Sequence, residues 1–179
     1  MTRKLHGILV DLIKHNECIQ KIYQLVFNAI FRFVGFFIAK DENLVLLSSY
    51  GGKQYSDSPR ILFEAMKKDV RFAGLRYVWA FEFPDKIEVD GAEKVRMDSM
   101  SYFLCALKAK VWITNVNIER GLHFKRAHTI YLNTWHGTGP KKGGNAVPGR
   151  NDYDFSQVDI LCIDGKYMRD VMLQYFGAC

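Results

Sequence analysis

The chain has 179 residues, of which 49% are hydrophobic and 25% are charged, and it carries a net charge of +6 with a pI of about 9.1. The apolar content excludes a disordered chain, and the length suits one domain with its own core but is short for two. The positive charge favours anionic partners such as phosphates, nucleotides, nucleic acids or an anionic membrane, although a solvated basic surface has the same composition.

The cysteine pattern argues against a metal site. Cys18, Cys105, Cys162 and Cys179 form no C-x-x-C pair, and no histidine lies at a zinc-like spacing from them. We therefore predict scattered, buried thiols in a reducing cytoplasm and no metal ion. We also predict no cofactor. The N-terminus also lacks the order of charge, apolar stretch and small residues that is typical of a signal peptide.

The first predicted element is an apolar helix within residues 1–40, the N-terminal helical segment. Ile22–Ile38 is 17 residues long, shorter than the about 20 needed to cross a bilayer, and Arg32 lies near its middle. Gln24, Asn28 and Arg32 form one polar stripe at helical spacing. Two interpretations stay open: an amphipathic helix at an anionic membrane surface, or a core helix whose polar stripe meets solvent.

Residues 41–179 alternate between short apolar runs and amphipathic stretches. The runs predict six strands, at residues 43–49, 75–82, 93–99, 110–116, 128–135 and 158–164. Helices are predicted from Ser58–Pro59, from Asp98 or Ser99, and after Asp164. This order predicts an α/β fold with a mostly parallel, Rossmann-like sheet and helices on both faces.

Polar clusters follow the first, fourth and fifth predicted strands, and parallel strands would bring them to one edge of the sheet. The third cluster has the sequence TWHGTGPKKGG and spans residues 134–144. His136 can accept a proton near neutral pH, Gly137 and Gly139 allow a tight turn, and Lys141 and Lys142 can neutralise a phosphate. The same residues also suit an ordinary solvated loop.

The stretch YLNTWHGTGPKKGG resembles the CDP-glycerol glycerophosphotransferase family, whose members build teichoic acid and related capsule polymers. Residues 134–138 and Lys141 match the family's Thr-Trp-His-Gly-Thr core and its lysine, whereas Gly139 and Pro140 replace the usual Pro-Leu. A second segment, residues 48–66, matches at Ser49, Gly52, Tyr55, Asp57 and Pro59, with Ser58 in place of Asn. The resemblance covers residues 43–177.

The resemblance implies a glycosyltransferase-B-type architecture of two Rossmann-like domains, of which residues 41–179 form the acceptor side and a donor-binding domain lies outside this chain. It implies transfer of a polyol phosphate from a CDP-activated donor such as CDP-glycerol to a polyprenyl-diphosphate-linked acceptor, by a peripheral protein at the cytoplasmic face of the cell membrane. The implied base is His136, and the implied substrate-binding residues are Gly52, Tyr55, Asp57, Asn115, Gly137, Thr138 and Lys141.

Two rival interpretations come from other classes of protein. In the first, the chain is a membrane-docked module that binds the acceptor without catalysis, since the resemblance places the donor site elsewhere. Nucleic-acid binding is suggested by the pI, but no stretch interleaves basic residues with aromatic ones, and we expect no nucleic-acid partner.

Overall fold

The computed structural model describes residues 16–119, 122–137, 143–148, 150 and 153–179. Six strands lie within these ranges: β1 (Asp41–Ser48), β2 (Arg76–Phe81), β3 (Glu93–Arg96), β4 (Ala109–Thr114), β5 (Ile130–Asn133) and β6 (Ile160–Leu161). The helices are α1 (Glu17–Phe37), α2 (Asp57–Lys68), α3 (Met100–Lys108) and α4 (Gly165–Tyr175). Each of the six predicted strands is present. β2 to β6 are shorter than the apolar runs indicated, whereas β1 begins earlier, at Asp41, and ends at Ser48.

The strands form one sheet in the order β3-β2-β1-β4-β5-β6, and every neighbouring pair is parallel. This confirms the predicted Rossmann-like sheet. The chain builds outwards from β1 to β3 on one side and from β4 to β6 on the other. The strand order therefore reverses between β1 and β4, and the crevice at such a reversal is where open parallel sheets bind ligands.

The core lies on both faces of the sheet because side chains of a strand alternate between the faces. On one face Leu47 and Trp79 pack with Phe63 of α2. On the other face Leu46 and Trp112 pack with side chains of α3 and α1. Helices thus cover both faces, as predicted, and burial on both sides explains why the strands read as continuous apolar runs.

The predicted helix starts agree with the structure at α3 but not at α2. Ser99 precedes α3, and its hydroxyl accepts a hydrogen bond from the Tyr102 backbone N–H at 3.2 Å. The predicted cap at Ser58 is wrong, because α2 begins at Asp57. Asp57 has a left-handed backbone, and its carboxylate accepts hydrogen bonds from the Ser58 N–H and from the distant Asn115. A long-range contact therefore sets this helix start.

Helix α1 packs against the domain through a face that carries both apolar and polar residues, and its opposite, apolar face is exposed. Phe31 is buried, with its ring 5.0 Å from Phe103 and 5.1 Å from Phe124. Asn28 Oδ1 accepts a hydrogen bond from the His123 backbone N–H at 2.8 Å. Asn28 of the polar stripe is therefore half-buried and contacts the domain, whereas Arg32 of the same stripe is exposed. The exposed face carries Ile22, Leu25, Val26, Phe27, Ile30, Phe33, Phe36 and Phe37, here called the outer face of α1.

Of the N-terminal helices predicted over residues 1–40, α1 lies within the described residues, and residues 1–15 lie outside them. No helix in the described ranges combines the length and the apolar character needed to cross a membrane.

Candidate active site at the carboxyl edge of the sheet

Three of the predicted polar clusters meet where β1, β4 and β5 end. β1 leads into Ser49 and Tyr50, β4 leads into Asn115, and β5 leads to His136. Because these strands are parallel and adjacent, their carboxyl ends share one edge, at the reversal of strand order between β1 and β4. Residues up to 87 positions apart in sequence are thereby placed in one cluster.

The imidazole of His136 is exposed at this edge and is held on one side. Its Nδ1 lies 2.7 Å from the backbone carbonyl oxygen of Asn115. Its ring centroid lies 5.5 Å from that of Tyr50 and 4.2 Å from that of Trp135. In the described part of the chain, no group bonds to Nε2. An accessible, oriented imidazole nitrogen is what a general base requires.

Asn115 is fully buried beneath the histidine and links the loops after β1 and β4. Its Nδ2 donates to Asp57 Oδ2 at 2.6 Å and to Ser49 Oγ at 3.4 Å, and its Oδ1 accepts from the Tyr50 N–H at 2.7 Å. Asp57 therefore faces the same cluster as His136, as the sequence order had suggested.

The electrostatics of the cluster favour an ionised Asp57. Burial raises the pKa of this carboxyl, but hydrogen bonds from Asn115, the Ser58 N–H and Tyr50, with the nearby His136, outweigh burial and leave the pKa below its ordinary value. The pKa of Tyr50 is raised, by burial first and then by Asp57. Both groups thus keep the charge states in which the phenol donates and the carboxylate accepts.

Trp135 anchors the turn that presents the histidine. Its ring centroid lies 5.7 Å from Phe155 and 5.0 Å from Phe176, in the small aromatic cluster that α4 completes. Its backbone is left-handed, with φ 50°, and Gly137 follows with φ 135° and open space where a Cβ would stand. Packing of the tryptophan and a permissive glycine therefore fix the direction of the residue between them.

Gly52 and Tyr55 lie towards β2 rather than against the histidine. The Gly52 carbonyl accepts the Glu82 N–H at 2.8 Å, and a Cβ on Gly52 would stand 2.9 Å from that nitrogen. The Tyr55 hydroxyl donates to Glu64, and its ring centroid lies 4.9 Å from Trp79. These contacts account for both residues as packing and turn residues, and their role in substrate binding stays a prediction.

Two other predicted residues, Thr138 and Lys141, lie outside the described residues. Tyr50 is a member of the cluster that sequence reasoning did not select. Its position, between the end of β1 and the Gly-Gly pair that follows, was a usable signal, since strand ends next to glycines often line a crevice.

The fold is similar to that of the wall teichoic acid polymerase TagF. A histidine-to-asparagine variant of TagF soaked with CDPG matches with a TM-score of 0.71 and 26% identity, over 89% of this chain and 43% of that one. The unsubstituted TagF structure matches with a TM-score of 0.67.

Sequence relatives agree with the structural match. The teichoic acid poly(glycerol phosphate) polymerase of Staphylococcus epidermidis is 39% identical over 155 residues, which are 76% of this chain and 21% of that protein. The polymerase of the same description from Bacillus spizizenii is 30% identical over 75% of this chain and 33% of its own length. The chain thus spans only a fifth to a third of these relatives. The model of the CDP-glycerol:poly(glycerophosphate) glycerophosphotransferase family matches residues 30–177, and the chain belongs to that family.

Proposed function

We propose that this chain forms the acceptor-side half of a glycerophosphotransferase that moves a polyol phosphate, such as glycerol phosphate, from a CDP-activated donor to a teichoic acid or capsule acceptor. The observation that carries this proposal is the exposed imidazole of His136 at the reversal of strand order, with Nδ1 bonded to a carbonyl and Nε2 open. Membership of the family supports the reaction class.

In the proposed reaction, Nε2 of His136 takes the proton from the acceptor's terminal hydroxyl. The hydroxyl oxygen attacks the β-phosphorus of the donor and forms a new phosphodiester bond. The bond from that phosphorus to the bridging oxygen breaks, and cytidine monophosphate leaves with the electron pair. Gly137 and Thr138 are proposed to shape the base of the acceptor pocket, and Lys141 is proposed to lie near phosphate.

We assign the donor nucleotide to a second domain outside these 179 residues. In support of this assignment, the chain matches only 43% of the TagF chain, and the family resemblance implies a two-domain transferase. The experiment is His136→Ala in the full-length polypeptide, with transfer of labelled glycerol phosphate from CDP-glycerol to a lipid-linked acceptor as the readout. We expect a loss of about 10²- to 10⁴-fold in kcat, the usual contribution of a general base.

The matched control is His128→Ala. His128 precedes β5 and so lies at the opposite edge of the sheet, where its Nε2 contacts the Lys108 carbonyl. Near-normal transfer by His128→Ala and loss in His136→Ala support the proposal. Near-normal transfer by His136→Ala would remove this histidine from the mechanism.

We propose that α1 binds the membrane that holds the acceptor. The outer face of α1 exposes Phe33, Phe36 and Phe37 at 70%, 81% and 70%, an unusual apolar area for a surface helix. Beside it lies a groove of about 640 Å³ whose lining includes Arg32, Lys125 and Arg126 and no acidic residue. We propose that this surface attaches the protein peripherally to the anionic cytoplasmic face of the cell membrane, where a polyprenyl-diphosphate-linked acceptor is embedded.

A second candidate function is an acceptor-binding module without catalysis of its own. It is favoured by the same α1 surface, which suits docking whether or not the reaction occurs. The test is whether the 179-residue chain alone turns over CDP-glycerol, and we expect no turnover. If the isolated chain binds the lipid-linked acceptor and only the full-length polypeptide shows turnover, the chain is the acceptor-binding half of a complete transferase.

A further inference from the structure

The hydrogen bond at Nδ1 determines which nitrogen of His136 carries the hydrogen. The partner is a backbone carbonyl oxygen, 2.7 Å away, and a carbonyl oxygen accepts but never donates. Nδ1 of the neutral ring must therefore be protonated, so the lone pair lies on Nε2. A general base that accepts a proton at Nε2 depends on this tautomer.

The carbonyl of Asn115 is useful only if it cannot rotate away, and its own side chain holds it. Every polar atom of that side chain is paired: Nδ2 with Asp57 and Ser49, and Oδ1 with the Tyr50 N–H. The shortest of these bonds, 2.6 Å, goes to the Asp57 carboxylate. Because Asn115 is fully buried, loss of one partner is not replaced by water.

The backbone around the histidine is strained at the same positions. Tyr50, Asp57 and Trp135 are non-glycine residues with left-handed backbones, at φ 48°, 61° and 50°. All three contact His136 or its support Asn115. Such conformations persist where the surroundings over-determine them, and they concentrate at functional sites.

We propose that Asp57 is a positioning residue that acts through Asn115 to hold His136 in the Nδ1–H tautomer, with Nε2 directed at the crevice. This inference rests on the proposed function, and it replaces a direct acceptor contact by Asp57. Asp57 bonds to the side chain of Asn115, and the main-chain carbonyl of Asn115 receives the histidine. The Tyr50 side chain, which also donates to Asp57, packs against the imidazole and limits its rotation.

The test uses the ¹⁵N-labelled 179-residue chain and long-range ¹H–¹⁵N correlations of the His136 ring, at a pH where the ring is neutral. The wild-type ring is expected to show protonated Nδ1 and unprotonated Nε2. Asp57→Asn keeps an acceptor oxygen and tolerates a left-handed backbone, so it is expected to keep the tautomer. Asp57→Gly fits φ 61° but has no acceptor, and is expected to give a tautomer mixture.

A wild-type ring with its hydrogen on Nε2 would overturn the proposal without any variant. An unchanged tautomer in a folded Asp57→Gly chain would also overturn it. Amide chemical shifts of β2 and β3, remote from the histidine, report whether each variant is folded. If Asp57→Gly does not fold, Asp57→Ala, which also lacks an acceptor for Asn115 Nδ2, serves the same comparison.

A kinetic comparison in the full-length polypeptide separates positioning from substrate binding. For positioning, Asp57→Gly lowers kcat by on the order of 10²-fold with an unchanged KM for the acceptor, and Asp57→Asn recovers most of kcat. For direct acceptor binding, the KM rises instead, which would contradict the proposal. Absence of transfer in the wild-type polypeptide would contradict the proposed function while leaving the tautomer result to decide the positioning role.

Discussion

The backbone N–H of Tyr50 donates to the side-chain Oδ1 of Asn115 at 2.7 Å, which joins the loop after β1 to the loop after β4 across the reversal of strand order. The two residues are 65 positions apart in sequence. The two loops joined by this bond both contact the imidazole of His136. The stability of the domain and the shape of the site therefore depend on the same asparagine.

We expect Asn115→Ala to lower the free energy of unfolding by about 1–3 kcal/mol, because it leaves the Tyr50 N–H without its acceptor and removes one of the hydrogen bonds to the Asp57 carboxylate. Urea unfolding followed by tryptophan fluorescence measures the loss. The control is Asn43→Ala, an exposed asparagine near the start of β1, with an expected change within about 0.5 kcal/mol. Equal stability of the two variants would contradict the role given to Asn115.

Glu119 predicts a pH dependence of stability. It is 1% exposed, and neither carboxylate oxygen has a partner in the described part of the chain. Burial, and then Asp154, raise its pKa well above the usual range. The folded state therefore holds a proton that the unfolded state releases, so this group lowers stability as the pH rises above its unfolded pKa of about 4.3.

We expect Glu119→Gln to unfold at a higher urea concentration than the wild-type chain at pH near 7, with the difference shrinking towards pH 4. The control is Glu88→Gln, because the Glu88 side chain is 94% exposed and should give no such trend. A difference that stays constant across this pH range would show that Glu119 is ionised in the folded protein.

Gly52 predicts a contrast with its neighbour Gly51. A Cβ at Gly52 would lie 2.9 Å from the Glu82 nitrogen and 3.1 Å from the Ala80 oxygen, whereas at Gly51 it meets nothing within 4 Å. Both have positive φ, 88° and 64°. We expect Gly51→Ala to cost about 1–2 kcal/mol for the left-handed backbone alone. Gly52→Ala should cost more, and thermal unfolding of both variants checks the order.

The two faces of α1 predict opposite phenotypes. Replacing Phe33, Phe36 and Phe37 with serine should abolish sedimentation with anionic vesicles and leave the unfolding midpoint almost unchanged, because these rings are exposed. Phe31→Ala removes a buried ring between Phe103 and Phe124 and should cost about 3–5 kcal/mol. Vesicle binding that survives the triple replacement would remove the outer face of α1 from the membrane proposal.

Local patterns in the sequence were enough for the secondary structure and the fold class. The strands were predictable because their apolar runs are bounded by turn residues and are too short for a typical helix. Ser99 was predictable as a helix cap because its hydroxyl bonds to an N–H three residues away. The start of α2 was predicted wrongly because Asp57 accepts a hydrogen bond from Asn115, which lies 58 residues away in the sequence.

The sequence by itself determined that strands and helices alternate, that His136 follows a strand, and that polar loops follow β1, β4 and β5, since each depends on residues close together in the chain. Only the tertiary structure decided which ring nitrogen of His136 is open, that Asp57 reaches it through Asn115, and which face of α1 is uncovered. These features depend on directions of side chains from different strands and helices, and packing fixes such directions only once the sheet has assembled.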